Sequence, residues 1–160
     1  VFFLLICGSY QLFGKYYKGV EGKIIPGLEI FNYYTEAISD RKKRCIGNII
    51  IETILDNEET KIIGFENHGG QTFDTGENFG TVLYGNGNKF GDLSEGFRTK
   101  NVIATYLHGP LLSKNPKLAD YIIKYALERK YNETIELEIL DDSFENQARE
   151  QLIKKFLESK

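Results

Sequence analysis

The sequence predicts a mixed α/β protein: strands gathered into a sheet with helices on its faces. Three observations carry this. The chain opens on a wholly apolar run, Val1-Phe2-Phe3-Leu4-Leu5-Ile6. Strand-length, β-branched runs recur at residues 45–55 and 101–107. Residues 115–129 and 144–157 place apolar side chains at helical spacing. A length of 160 residues, with 41% hydrophobic and 27% charged, suits one soluble domain with its own core.

The elements follow in order. Residues 1–6 read as a strand buried on both faces, as in a parallel sheet. Such a strand needs neighbours, so upstream sequence is expected to precede Val1. Cys7-Gly8-Ser9 makes a sharp turn, and residues 10–17 have helical character, with Leu12, Phe13 and Tyr16 on one side. Gly19, Gly22 and Pro26-Gly27 mark a loop, and residues 27–34 read as a short strand or turn. Residues 36–44 are polar and end in Arg41-Lys42-Lys43-Arg44. The isoleucine-rich residues 45–55, the turn at 56–59 and the strand at 61–66 form a hairpin. Residues 79–84 are a further strand. The glycine-rich residues 85–91 lack the Gly-Lys-Ser/Thr of a nucleotide loop and read as a hairpin turn. Residues 101–107 are a central strand. Two helices close the chain.

Composition excludes several classes of protein. The formal net charge of −3 gives no field that favours nucleic acid or an anionic membrane, despite the basic run at 41–44. The apolar opening is far shorter than the roughly 20 residues of a membrane span, and it lacks the flanks of a signal peptide. Two cysteines, Cys7 and Cys45, make no disulfide scaffold, and a reduced, cytoplasmic setting is expected. No metal site and no cofactor are expected in this chain.

Two segments carry chemistry. In Leu4-Leu5-Ile6-Cys7-Gly8-Ser9-Tyr10-Gln11, a buried strand feeds a sharp turn with cysteine at its apex, and a helix begins at once. This is the layout of a nucleophile elbow. Helix amides aimed at the sulfur favour thiolate, and the amides of Gly8 and Ser9 are placed to bind an oxyanion. An ordinary buried cysteine is the competing reading. In Ala104-Thr105-Tyr106-Leu107-His108-Gly109-Pro110, a histidine follows the carboxyl end of an apolar strand, where α/β sheets gather their ligands. Cys7 and His108 would then supply a nucleophile and its base; a structural loop histidine is the alternative.

These segments, together with Gly64-Phe65-Glu66-Asn67-His68-Gly69-Gly70 and Lys114-Asn115-Pro116, resemble the glutaminase subunits of lipid II isoglutaminyl synthases. Those GatD-type subunits belong to the cobyric-acid-synthase-like class I glutamine amidotransferases. The resemblance runs over residues 1–131 in matching order. It implies a flavodoxin-like three-layer sandwich lacking its N-terminal part. Residues 1–132 would be the partial amidotransferase domain, and 133–160 a helical tail packed on it. It implies Cys7 as nucleophile and His108 as base. Arg44 would help to hold the glutamine, with Gly8, Ser9, Gln11 and His68 at the substrate site; a solvated basic loop and a turn-stabilising histidine are the alternatives for Arg44 and His68. It implies a heterodimer with a Mur-ligase-like subunit that binds ATP and Mg and amidates the D-glutamate of the lipid II stem peptide in peptidoglycan synthesis. A cobyrinate-like acceptor and a non-catalytic assembly subunit are the alternatives. The sequence departs from the class at Pro110, where many members place a glutamate two residues after the histidine. The resemblance implies that the partner supplies that acid. Ser9 stands where glycine is usual.

Overall fold

The computed structural model describes residues 1–158. The last two residues of the tail predicted at 133–160 lie outside the described residues. Among the described residues, eleven strands are distributed over three sheets rather than one.

The sheet that carries the candidate site is small. Strand β1 (Phe3–Ile6) pairs in parallel with β11 (Val102–Thr105), and β10 (Phe97–Thr99) flanks β11 on the other side, antiparallel. All four residues of β11 are buried. Ile103 joins one core with Ile49, Ile51, Ile62 and Leu107, while Val102 and Ala104 join a second with Leu5, Tyr10, Tyr33 and Tyr106. Two cores on opposite faces explain why this strand reads as a continuous apolar run. The expectation for residues 1–6 needs correcting. β1 is an edge strand among the described residues, and only Leu5 in it is fully buried. Its apolar run still serves both cores: Phe2, Leu4 and Ile6 pack, partly buried, against one, and Leu5 is buried in the other.

The second sheet is ordered β6–β5–β8–β9: β5 (Cys45–Leu55), β6 (Glu58–His68), β8 (Gly80–Tyr84) and β9 (Ser94–Glu95). β5 and β6 form the predicted hairpin in unbroken register from Cys45↔His68 to Leu55↔Glu58. Its two-residue turn, Asp56-Asn57, has positive φ at both positions, the hand that matches strand twist. The loop at 85–93 joins β8 to β9, as the glycine-rich stretch predicts.

The third sheet was not predicted. β3 (Ile24–Pro26), β2 (Tyr16–Lys18), β4 (Tyr34–Ala37) and β7 (Gly70–Phe73) lie in that order. Helix α1 (Gly8–Phe13) is therefore shorter than residues 10–17 suggested. It stops at Gly14, where Tyr33 packs so closely that a Cβ would meet its ring at 2.6 Å. Tyr16 leaves the helix to stack on Tyr34.

Helices α2 (Leu111–Lys114), α3 (Pro116–Tyr131) and α4 (Ser143–Leu157) follow. α4 reaches back to the second sheet: Arg149 donates to the Lys61 carbonyl, and Phe156 packs against Tyr84. No helix among the described residues is long and apolar enough to cross a membrane.

Candidate active site

The parallel pairing of β1 with β11 fixes the site. Ile6 is opposite Thr105, and the Cys7 amide donates to the Thr105 carbonyl at 2.9 Å. Cys7 and His108 therefore leave the carboxyl ends of adjacent parallel strands, on one edge of one sheet. Cys7 sits at φ 53°, ψ −105°. Non-glycine residues adopt such backbone only where the surrounding fold enforces it. Here α1 follows at once, its first turn closed by the Gln11 amide on the Cys7 carbonyl. The cysteine is the strained apex of a strand–turn–helix, as the elbow reading requires.

The thiol is half-buried, and desolvation moves its pKa up while the Gly8 amide pulls it down. The expectation that the helix amides make Cys7 a ready thiolate is thus corrected. α1 has six residues, too few for a sizeable macrodipole, and burial outweighs its amides. A nucleophile at this position would need a base.

His108 is exposed. Its amide and its Nδ1 both face the Phe65 carbonyl, at 2.8 and 3.0 Å. A carbonyl only accepts, so Nδ1 carries the proton and Nε2 keeps its lone pair. That is the tautomer a base needs, fixed by the backbone of β6 where the sequence offers Pro110 in place of an acid.

Gln11 lies one turn beyond Cys7 and donates to the Tyr106 hydroxyl at 3.1 Å. It also packs against Gly70, where a Cβ would stand 2.6 Å from its Nε2. Arg44, just before β5, is exposed. Its guanidinium donates to Asn67 at 3.3 Å and lies over Gly69, where a Cβ would meet it at 2.8 Å. Gly8 is open, and Ser9 is exposed at the helix start. His68 is interior: its ring lies flat on Tyr106, centroids 3.6 Å apart and 7° from parallel. Its Nδ1 meets the Gly70 carbonyl at 2.7 Å, and burial brings its pKa down to about 4. Its ring reaches the site through Tyr106.

Tyr106 and Glu95 carry more of the site than the sequence revealed. The Tyr106 ring packs between Tyr10 and His68, and its hydroxyl joins Gln11 and Thr72. The fully buried Glu95 binds the Tyr106 amide at 2.7 Å and the Thr105 hydroxyl at 2.9 Å, which anchors the end of β11. Desolvation pushes its pKa up to about 8. A chain that keeps Glu95 protonated when folded, but ionises it above 4.5 when unfolded, loses stability as pH rises between those values. Glu66, also raised by burial, acts in the same direction. His68 opposes them mainly below its ordinary 6.5, where the unfolded chain takes up its proton first. From pH 6.5 to 8 only the tail of that titration remains against the Glu95 effect, and unfolding free energy falls by about 1 kcal/mol. Urea denaturation at the two pH values, in chelator-containing buffer, should show this decline. Glu95→Gln, a neutral isostere, should largely flatten it.

Strand pairing, elbow and histidine make a candidate site, and comparison with known proteins shows the family. The chain belongs to the CobB/CobQ-like glutamine amidotransferase domain family, whose model matches residues 1–116. Its fold is accordingly of the class I glutamine amidotransferase-like α/β type. It is 43% identical over 150 residues to the lipid II isoglutaminyl synthase (glutamine-hydrolyzing) subunit GatD of Staphylococcus aureus, covering 94% of this chain and 59% of that protein. The subunit of the same name from Streptococcus pneumoniae is 41% identical, covering 92% and 56%. A probable cobyric acid synthase of Methanocella arvoryzae is 27% identical over 136 residues, covering 78% and 25%. The chain thus spans somewhat more than half the length of the two GatD relatives.

Proposed function

We propose that this chain carries the nucleophile and base of a glutaminase subunit that delivers ammonia for amidation of lipid II. The observation that carries the reading is the strained Cys7 elbow on β1, hydrogen-bonded to the strand that leads to His108. The shared name of the two GatD relatives supports the acceptor.

In this reading the Cys7 proton passes to His108 Nε2 as the sulfur adds to the δ-carbonyl of glutamine. The amides of Gly8 and Ser9 receive the oxyanion. Collapse expels the amide nitrogen, protonated by the imidazolium, and leaves a glutamyl thioester. Water then gives up a proton to His108 and attacks the thioester. Glutamate and the free thiol result. Arg44 offers its guanidinium to the α-carboxylate of glutamine, and Gln11, set by Tyr106, lines the same side. A Mur-ligase-like partner that binds ATP and Mg would activate the D-glutamate carboxyl of the stem peptide and accept the ammonia, in the cytoplasm. A glutamine-analogue electrophile tests the site. It should add one equivalent, at Cys7 and not Cys45, with glutamine protecting. Labelling at Cys45 alone, or none in the assembled complex, overturns the reading.

A further inference from the structure

The β5–β6 hairpin places three potential metal ligands on one buried face. In its register Cys45 lies opposite His68, and Glu66 precedes His68 by two residues, on the same side of the pleat. All three are buried, and one ligand atom from each lies within 4.8 Å of the others. Nothing in the proposed reaction uses them as a group.

Two features of the cluster call for a cation. First, His68 Nδ1 donates to the Gly70 carbonyl, so Nε2 presents a bare lone pair. That nitrogen is buried without a partner and stands 4.0 Å from Glu66 Oε2. A lone pair facing a carboxylate oxygen in the interior leaves the imidazole nitrogen without the donor it needs. Second, the Glu66 carboxylate is held as an acceptor by three N–H bonds, two from Asn86 and one from the Gly87 amide, at 2.9–3.1 Å. Gln71 points its amide nitrogen at the Cys45 sulfur, 3.8 Å away, as a donor suited to a thiolate. The ligands are therefore oriented by outer partners, as metal ligands usually are.

We propose that Cys45, Glu66 and His68 form a site for a zinc-class divalent cation. Thiolate with imidazole selects zinc and its borderline neighbours over magnesium or calcium. One thiolate and one carboxylate neutralise a 2+ ion, so the loaded site carries no net charge into the core. Ligand atoms around tetrahedral zinc, bonded at roughly 2.0–2.3 Å, lie roughly 3.3–3.7 Å apart. The observed spacing needs only side-chain rotations to close. Binding displaces the Cys45 thiol proton to solvent, along with any proton on Glu66, and a water takes the fourth position. The ion would staple the start of β5 to the end of β6. It would fix Arg44, next to Cys45, and the imidazole that supports Tyr106. The sequence hides the site because its ligands are 21 and two residues apart and meet only through strand register.

Cobalt(II) is the probe. The chain, stripped with chelator, should bind one equivalent of Co2+ with a thiolate-to-cobalt charge-transfer band, and Zn2+ should bleach it. Cys45→Ser should lose the band, whereas Cys7→Ala should keep it. Glu66→Gln and His68→Gln should weaken binding at least about tenfold, a loss that removal of an outer-shell partner alone can cause. Absence of a saturable band in the folded wild-type chain overturns the proposal without reference to any variant. So does a band that survives Cys45→Ser or disappears with Cys7→Ala.

Discussion

Cys7→Ala is expected to lower glutamine hydrolysis by the assembled enzyme at least about 10³-fold, with glutamine still bound. In the proposed reaction the sulfur is the atom that forms the thioester, and no neighbouring side chain on the elbow can replace it: Gly8 has none, and the Ser9 hydroxyl is exposed on the first turn of α1. Arg44 and Gln11 remain, so KM should move far less than kcat. Fold stability should change little, because the side chain is only half-buried. Cys7→Gly separates strain from chemistry. At φ 53°, ψ −105° glycine relieves a conformation that a side chain resists, so this variant should be inactive yet more stable by about 1 kcal/mol. Steady-state glutaminase kinetics beside urea denaturation check both. A Cys7→Ala enzyme that retains most of its turnover would remove the cysteine from the mechanism.

The legible parts of the molecule were those fixed by short-range rules. The elbow shows in sequence because an apolar strand, a cysteine and a following glycine are contiguous. The β5–β6 hairpin shows because Asp56-Asn57 is a turn pair between two β-branched runs. β2 and β7 did not show. Tyr16 continues the apolar spacing of α1, and only the packing of Tyr33 on Gly14 ends the helix before it. Gly70-Gln71-Thr72-Phe73 looks like loop, yet pairs along its length with β4. The buried carboxylates were invisible for a related reason. Glu66 has the parity of the buried residues Thr60, Ile62 and Gly64 along β6, which could have marked it as inward. Glu95 sits on a two-residue strand with no periodicity to read. The partners of Arg44 and His68 come from register, which composition does not encode.

Leu107→Ala is expected to destabilise the chain by about 2–5 kcal/mol, the range for an interior leucine whose cavity cannot collapse. Collapse is blocked here on more than one side. Leu107 is fully buried in the core built on Ile49, Ile51, Ile62 and Ile103. The strand beside it is held at Gly64, where there is no side chain to move into the gap: a Cβ there would already stand 2.8 Å from Leu107. The Leu107 amide is tied to Thr105 Oγ1, which is itself tied to Glu95, so its backbone cannot follow either. Leu107 stands between Tyr106, which positions Gln11, and His108, which hangs on the Phe65 carbonyl. A loss of packing should therefore reach the candidate base before the chain unfolds. Urea denaturation should show the midpoint shift. Glutamine hydrolysis, measured where the variant remains folded, should fall through kcat as His108 loses its registration against Cys7. A variant as stable as the parent would mean that Leu107 does not pack in the core built on Ile49, Ile51, Ile62 and Ile103, and the anchoring of the segment that carries His108 would lose its structural basis.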